Sequence, residues 1–564
     1  MKSERALLAA EGSIIPERGH AARAPSPFHA ARQYTMEHTT DHLNLPDGPF
    51  NVAHHLLSLN KAPDRAARPY MLLGDDVMTY GELHARANRV GNALRALGVE
   101  PEQRVMMLCL DTLAFPPIFF GIISTGAVAI PVNTLLRSQD YAYFLNDSRA
   151  RVLLVDEALW PVIEPIAGNL PHLRHIVIVN GQVAGHQSLD DLMAQASEEL
   201  EPTLMSVDDP AFWLYTSGST GQPKAAVHLQ HDMIYAINTY GREVLQLTPD
   251  DRTFSAAKFF FAYGLGNSLY FPLASGCSAV IVPGRPTPEL MYETLERYRP
   301  TVFYGVPTLY NAMLNLYDAW KEGRGDPPAT LPKLDFLRYA VSAGESLPAP
   351  LFHRWKAAFG SDILDGIGST EMLHIFITNR LGDVVPGSSG KPVEGYQAKL
   401  VDEDGNPVPT GEVGTLLVNG DSAAAFYWNK HQKTKETMLG AWMVTGDNYH
   451  QDEQGYYWYD GRNDDMMKVS GSWVSPIEVE GALITHPAVA ECAVVGREDG
   501  AGLVKTRAIV VLNEGHAPGE ALEEELRAHV RAAIAGFKAP HWFDFVDDLP
   551  KTATGKIKRF ELRD

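Results

Sequence analysis

Apolar positions recur along this chain with two different periods. Thr79-Tyr80-Gly81-Glu82 reads as a capping box, and Leu83, Ala87, Val90, Leu94 and Leu97 follow at helical spacing before Gly98. That pattern predicts an amphipathic helix over 80–97 whose role is packing. Short β-rich runs at 104–110, 127–132 and 152–155 alternate with helical patterns, which predicts layered α/β structure with parallel strands. Further strands are predicted at 211–215, 279–282, 302–304 and 337–341. After Asp402 the texture turns Gly-punctuated, with Asp404-Gly405-Asn406-Pro407 and Thr410-Gly411-Glu412-Val413-Gly414, which predicts a small β-rich subdomain. From Gly461 onward, strands at 493–495 and 508–512 alternate with helices at 477–484 and 522–535, the pattern of a separate small α/β domain.

Residues 1–45 show no sustained periodicity and are rich in Ala, Arg, His and Pro, so they read as a flexible extension. The apolar run at 6–10 is too short for a secretory signal, and Met36 is a second candidate start. The expected division is an extension over 1–45, a large domain over 46–460 and a small domain over 461–564. Residues 113–132 carry no charge, but Pro116, Pro117, Pro131 and two glycines favour a buried helix, a turn and a strand over a membrane span.

Composition narrows the function classes. A chain of 564 residues exceeds the size at which one core stops growing. Its formal charge of -21 opposes nonspecific attachment to nucleic acid or anionic membranes. Cys109, Cys277 and Cys492 lie far apart without metal-ligand spacing, which argues for neither a disulfide scaffold nor a zinc site and fits a reducing cytoplasm.

Candidate chemistry centres on Thr216-Ser217-Gly218-Ser219-Thr220-Gly221-Gln222-Pro223-Lys224. Two glycines permit close backbone approach, four hydroxyls and several amides can donate, and Lys224 adds positive charge, so the loop suits a polyphosphate. It is not the common P-loop, because Gln222 and Pro223 separate Gly221 from the lysine. Asp365-Gly366-Ile367-Gly368-Ser369-Thr370-Glu371 offers Glu371 as a hard oxygen for Mg2+ and Thr370 as a phosphate partner; Ala343 and Gly344, beside Glu345, leave room for a flat base. Thr445-Gly446-Asp447 and Gly461-Arg462 supply an exposed aspartate for vicinal ribose hydroxyls and an arginine for the same sugar or its phosphate. Near the carboxyl end, Pro550-Lys551-Thr552-Ala553-Thr554-Gly555-Lys556 places a glycine beside Lys556, which suits a tight insertable loop.

Taken together and in this order, these motifs and Gly461-Arg462-Asn463-Asp464-Asp465-Met466-Met467-Lys468-Val469-Ser470-Gly471 resemble the adenylate-forming superfamily of acyl- and aryl-CoA synthetases over roughly residues 50–562. The segments Lys258-Phe259-Phe260-Phe261-Ala262-Tyr263-Gly264 and Gly368-Ser369-Thr370-Glu371-Met372-Leu373-His374-Ile375 resemble the branch acting on aromatic acids, above all benzoate-CoA ligases. The resemblance implies a large α/β amino-terminal domain with a β-rich subdomain and a small mobile α/β carboxyl-terminal domain. It implies ATP, Mg2+ and CoA as reactants and cofactor, and Lys556, Lys224, Glu371 and Thr370 as catalytic residues. ATP contacts are implied for Thr216, Ser217, Gly218, Ser219, Thr220, Gly221, Lys224, Ala343, Gly344, Glu345, Asp365, Gly366, Thr370, Asp447 and Arg462. Ala262, Tyr263, Gly368, His374 and Ile375 would surround the aryl group. Ser470, Gly471 and Trp473 would line a CoA tunnel, and Asp464 would be the hinge.

The implied activity is aromatic carboxylate-CoA ligation through an aryl-adenylate. Hydroxybenzoate or aminobenzoate ligation and adenylation for a carrier protein are the enzyme alternatives, with a non-turnover nucleotide-binding regulator as the alternative of another class. His374 has two readings, hydrogen bonding to a ring substituent or plain packing. A monomer and a homodimer both fit.

Overall fold

The computed structural model describes residues 48–216, 223–462, 465, 467–469, 472–499, 503–551 and 557–563. Ser217, Gly218, Ser219, Thr220, Gly221, Asp464, Ser470, Gly471 and Lys556 lie outside the described residues, as does the expected extension over 1–45.

Two large sheets carry the amino-terminal body. One is nine-stranded, in the order Lys391–Pro392, Ile375–Thr378, Ile363–Gly368, Tyr339–Ser342, Val302–Gly305, Arg252–Ser255, Ser278–Val280, Pro69–Leu73, Asp76–Thr79. The other is eight-stranded, running Phe426–Tyr427, Lys224–Leu229, Pro210–Thr216, Val128–Pro131, Arg104–Leu108, Val152–Asp156, His175–Val179, Gln187–Ser188. Their central strands pair in parallel, as the alternation of strand and helix patterns predicts. Antiparallel strands close the functional edges: Ile375–Thr378 on Ile363–Gly368, and Lys224–Leu229 on Pro210–Thr216.

The pleat explains where the core sits. Successive strand residues face opposite sides, so Tyr339 and Val341 enter the cluster shared by both sheets while Ala340 enters the outer one. Helix Tyr80–Ala96 starts at the expected capping box, with Thr79 and Glu82 bonding each other's backbone. It buries Leu83, Ala87, Val90 and Leu94 in the shared core. Helix Phe115–Ser124 is buried along its whole length. Its Gly121 is required by packing, since a Cβ there would lie 2.7 Å from the Ala87 carbonyl oxygen and 2.8 Å from Val90. Among the described residues no helix is long and apolar enough to cross a membrane.

The Gly-punctuated region forms a five-stranded antiparallel sheet that begins at Gln397, slightly before the change of texture at Asp402. Beyond Arg462 the hairpin Met467–Val469/Ser472–Val474 leads to a three-stranded sheet, Val489–Glu498, Val504–Leu512, Trp542–Phe545, packed against helices Pro476–Leu483 and Glu520–Ala533 around a core of their own.

Candidate active site

The two ends of the phosphate-suited run lie opposite each other. Thr216 pairs with Lys224 across antiparallel strands, so both ends of the nine-residue run are held by sheet hydrogen bonds. Lys224 then points at Tyr427, on the neighbouring edge strand of its own sheet, and at Glu371, which follows a strand of the other sheet. Its Nζ donates to the Tyr427 hydroxyl at 2.6 Å, lies 3.2 Å from Oε1 of Glu371, and sits 4.0 Å from the centroid of the Tyr427 ring. Tyr427 in turn donates to Oε1 of Glu371 at 2.5 Å. Burial lowers the Lys224 pKa, with Glu371 opposing. Burial alone would raise the Glu371 carboxyl, but the Lys224 charge and the Tyr427 hydrogen bond outweigh it and hold it below the usual range.

The turn carrying Thr370 and Glu371 is pinned at three consecutive carbonyls. Thr370 O lies 2.8 Å from Nε2 of His228, Glu371 O accepts from Ala424 N at 2.7 Å, and Met372 O accepts from the Ser422 hydroxyl at 2.8 Å. A backbone restrained in this way presents Thr370 and Glu371 in one orientation. Tyr427, His228, Asp232, Ser422 and Ala424 were not anticipated. The aromatic triplet Phe426-Tyr427-Trp428 and the i, i+4 pair His228/Asp232 carry no signal that distinguishes them from packing residues.

Strand Ile363–Gly368 supplies the next part. Asp365 is buried, and burial pushes its pKa up to about 8 against the opposing hydrogen bonds of Ser342, Leu347 and Gly366. The neighbouring strand ends at Ser342, which is buried and paired in register with Asp365. Ala343 is buried and Gly344 adopts φ +95°, so the chain turns sharply at this edge, with Glu345 half-buried beside it. The carboxyl ends of parallel strands are where open α/β sheets bind ligands.

Asp447 departs from expectation. It was expected to be exposed, but only 14% of its side chain is accessible, and Oδ1 bonds Nη1 of Arg462 at 3.0 Å. The cause is register: the two residues face each other across antiparallel strands. Gly446, at φ +77°, leaves the space that the guanidinium fills, with Nη2 3.1 Å from where a Cβ would stand. The charge of Arg462 acts weakly on both Lys224 and Tyr427.

The residues expected around the aryl group form a packed cluster. His374 is 2% exposed, its Nε2 is 3.2 Å from Oδ1 of Asn267, and it packs against Tyr240, Tyr263 and Phe271 with centroids 4.9, 5.7 and 4.7 Å away. Burial drives its pKa down to about 3, so it is neutral. Gly266 makes room for it, since a Cβ there would be 2.5 Å from Cδ2 of His374. A wide helical turn over Gly266–Tyr270 carries Asn267, a distortion common at functional sites. Tyr263 donates to the carbonyls of Gly305 and Val341 at 3.3 and 3.2 Å, Ala262 and Ile375 are buried, and Gly368 lies tight against the His374 backbone.

In the small domain, Trp473 belongs to the strand Ser472–Val474. The ends of the terminal lysine loop are tied: Lys551 bridges Ile557, and Lys558 N bonds Pro550 O at 2.8 Å, with 552–556 between them outside the described residues.

Comparison with known proteins shows the family of the chain. Residues 57–428 match the family "AMP-binding enzyme", and residues 478–556 match "AMP-binding enzyme C-terminal domain". The chain is 49% identical to a benzoate–CoA ligase of Thauera aromatica over 94% of this chain and 99% of that protein. It is 43% identical to a 4-hydroxybenzoate–CoA/benzoate–CoA ligase of Rhodopseudomonas palustris over 92% and 95%. Among solved structures, the anthranilate CoA ligase AuaEII with anthranoyl-AMP superposes with a TM-score of 0.87 at 44% identity, covering 92% of this chain and 98% of that one. A benzoate CoA ligase from Burkholderia xenovorans LB400 gives 0.83 at 44% identity, covering 91% and 100%.

Proposed function

Since the chain belongs to the AMP-binding enzyme family, we propose that it is an ATP-dependent aromatic carboxylate-CoA ligase with benzoate as its type substrate. The carrying observation is the convergence of Lys224, Tyr427 and Glu371 from two sheets, with the aromatic cluster of Tyr263 and neutral His374, the latter following Glu371 closely along the chain. The first half-reaction joins a carboxylate oxygen to the α-phosphorus of ATP and expels diphosphate. Two anions must approach each other, so positioned positive charge is the principal requirement. Lys224 ends the phosphate-suited run and serves the departing phosphates. Lys556, on the tied terminal loop, bridges the attacking carboxylate and the α-phosphate, and remains charged throughout. Asp447 and Arg462 hold the ribose, and Asp365 with 343–345 borders the base.

Glu371 fits Mg2+ in the mode that uses one carboxylate together with nucleotide phosphates; among the described residues no three acidic, His or Cys side chains gather into an all-protein site. When bound, the ion would supply charge neutralisation at the phosphates. Lys224 and Tyr427 hold the carboxylate in place for that role.

In the second half-reaction the CoA sulfur attacks the acyl carbon of the mixed anhydride, the thiol proton is lost, and AMP leaves. The hairpin around 470–471 and Trp473 line the pantetheine path. The small domain, 461–564, reorients about Asp464 between the two steps, with 46–460 as the fixed body.

The test is incubation with ATP, Mg2+, CoA and a panel of benzoate, hydroxybenzoates, aminobenzoates and aliphatic acids, measuring AMP and acyl-CoA. Benzoate turnover with both products is the expected result. No AMP with any carboxylate would remove the ligase reading, and turnover of aliphatic acids alone would remove the aromatic slot. Turnover of a hydroxylated or aminated ring in preference to benzoate would reassign the type substrate.

A further inference from the structure

The imidazole of His228 faces an acceptor on each ring nitrogen. It lies on strand Lys224–Leu229, stacked on Phe212 at 5.0 Å and 15°, with none of its side chain exposed. Nδ1 is 2.7 Å from Oδ2 of Asp232, whose side chain is equally inaccessible. Nε2 is 2.8 Å from the carbonyl oxygen of Thr370. A carbonyl only accepts, so Nε2 carries a hydrogen. A neutral imidazole has one N–H, which would leave a lone pair on Nδ1 aimed at a carboxylate oxygen.

Two proton placements relieve that clash: a carboxylic acid on Asp232, or a second hydrogen on His228. The surroundings favour the second. Oδ2 of Asp232 also accepts the backbone N–H of Leu229 at 3.1 Å, which suits an anion, while Oδ1 makes no hydrogen bond and lies 3.2 Å from Nε2 of His231, whose Nδ1 faces the Val207 carbonyl oxygen. An imidazole is intrinsically the stronger base of the pair, and both of its hydrogen bonds become charge-assisted. We infer that His228 is an imidazolium paired with the Asp232 carboxylate, and that it acts as a positioning residue which holds the Thr370–Glu371 turn through the Thr370 carbonyl. This inference rests on the ligase reading above. Of the three pins on that turn it is the one adjoining both Thr370 and Glu371. Its loss would displace the groups serving the nucleotide phosphates while leaving the aromatic slot and the thioester step intact.

The proton count is read directly by nitrogen NMR of the full-length protein labelled in histidine, near neutral pH, with the His228 signals identified by their loss in His228→Gln. Both ring nitrogens are expected to carry hydrogen, and a pyridine-like nitrogen on His228 would overturn the assignment whatever the variants do. The positioning role is read by splitting the reaction. His228→Gln is expected to lower kcat for benzoate-dependent ATP–diphosphate exchange about 30-fold, with the benzoate KM nearly unchanged. Conversion of supplied benzoyl-AMP and CoA should stay near wild type. Equal loss in both half-reactions, or no loss in exchange, would contradict the positioning role. Wild-type protein that exchanges diphosphate with no aromatic acid would sink the ligase reading and the positioning role together, while the nitrogen spectrum still decides the charge.

Discussion

Nζ of Lys224 lies 3.2 Å from Oε1 of Glu371, although the two residues belong to different sheets and each side chain is only 15% exposed. Lys224 begins the strand that pairs with Pro210–Thr216, and Glu371 follows the strand Ile363–Gly368. The contact therefore exists only when both sheets are folded and packed. Tyr427, on a two-residue edge strand paired with Ala226 and Val227, touches both partners.

Tyr427→Phe keeps the ring beneath the lysine and deletes the hydroxyl. A hydrogen bond to a charged group contributes about 1.5–3 kcal/mol, so ATP–diphosphate exchange should fall roughly 10- to 100-fold. An unchanged circular dichroism spectrum would show that the fold is intact, and an exchange rate within about twofold of wild type would exclude the role.

Removal of divalent metal with a chelator should abolish adenylate formation. Glu371→Gln should raise the Mg2+ concentration needed for half-maximal exchange by about an order of magnitude, while benzoyl-CoA formation from supplied benzoyl-AMP stays close to wild type. A Mg2+ titration that overlays that of wild type would place the ion elsewhere.

Gly266→Ala would drive a methyl to 2.5 Å from Cδ2 of His374 and 2.9 Å from Phe271. Overpacking of this kind costs about 1–3 kcal/mol. The expected result is a fall of about tenfold or more in kcat/KM for benzoate with the ATP KM little changed; matched changes in both would argue that the slot is not separable from the nucleotide site.

The pH dependence of stability carries the sign of His374. Its folded pKa is depressed from 6.5 to about 3 by burial, so the unfolded chain binds more protons between those values and stability is lost as pH falls through that window. The slope from this group is at most about 1.4 kcal/mol per pH unit. Denaturant midpoints measured between neutrality and pH 4 should fall less steeply in His374→Gln than in wild type. Parallel curves would mean that the imidazole protonates in place.

Lys556→Ala should suppress adenylate formation far more than thioester formation from supplied benzoyl-AMP. Single-turnover assays of the two half-reactions read the difference directly. Equal losses would contradict the division of labour between the terminal lysine and the hairpin around 470–471.

What local sequence dictates was legible in advance: the capping box at Thr79 and Glu82, the parallel strands flanked by helices, the Gly-punctuated antiparallel sheet, and the order of the phosphate-suited loop, the Asp365–Glu371 run and Asp447. Each depends on period, turn chemistry or backbone freedom within a few residues, and those survive in any context. Tertiary structure alone decided the partners. Antiparallel register set Arg462 opposite Asp447 and took the aspartate out of solvent. Sheet packing brought Tyr427 and His228 to Glu371 and Thr370 across separations of 56 and 142 residues. The closing of Tyr240, Tyr263 and Phe271 around His374 buried it and stripped it of charge. Desolvation and long-range contact depend on what surrounds a side chain once the sheets have met, and the order of residues along the chain does not encode those distances locally.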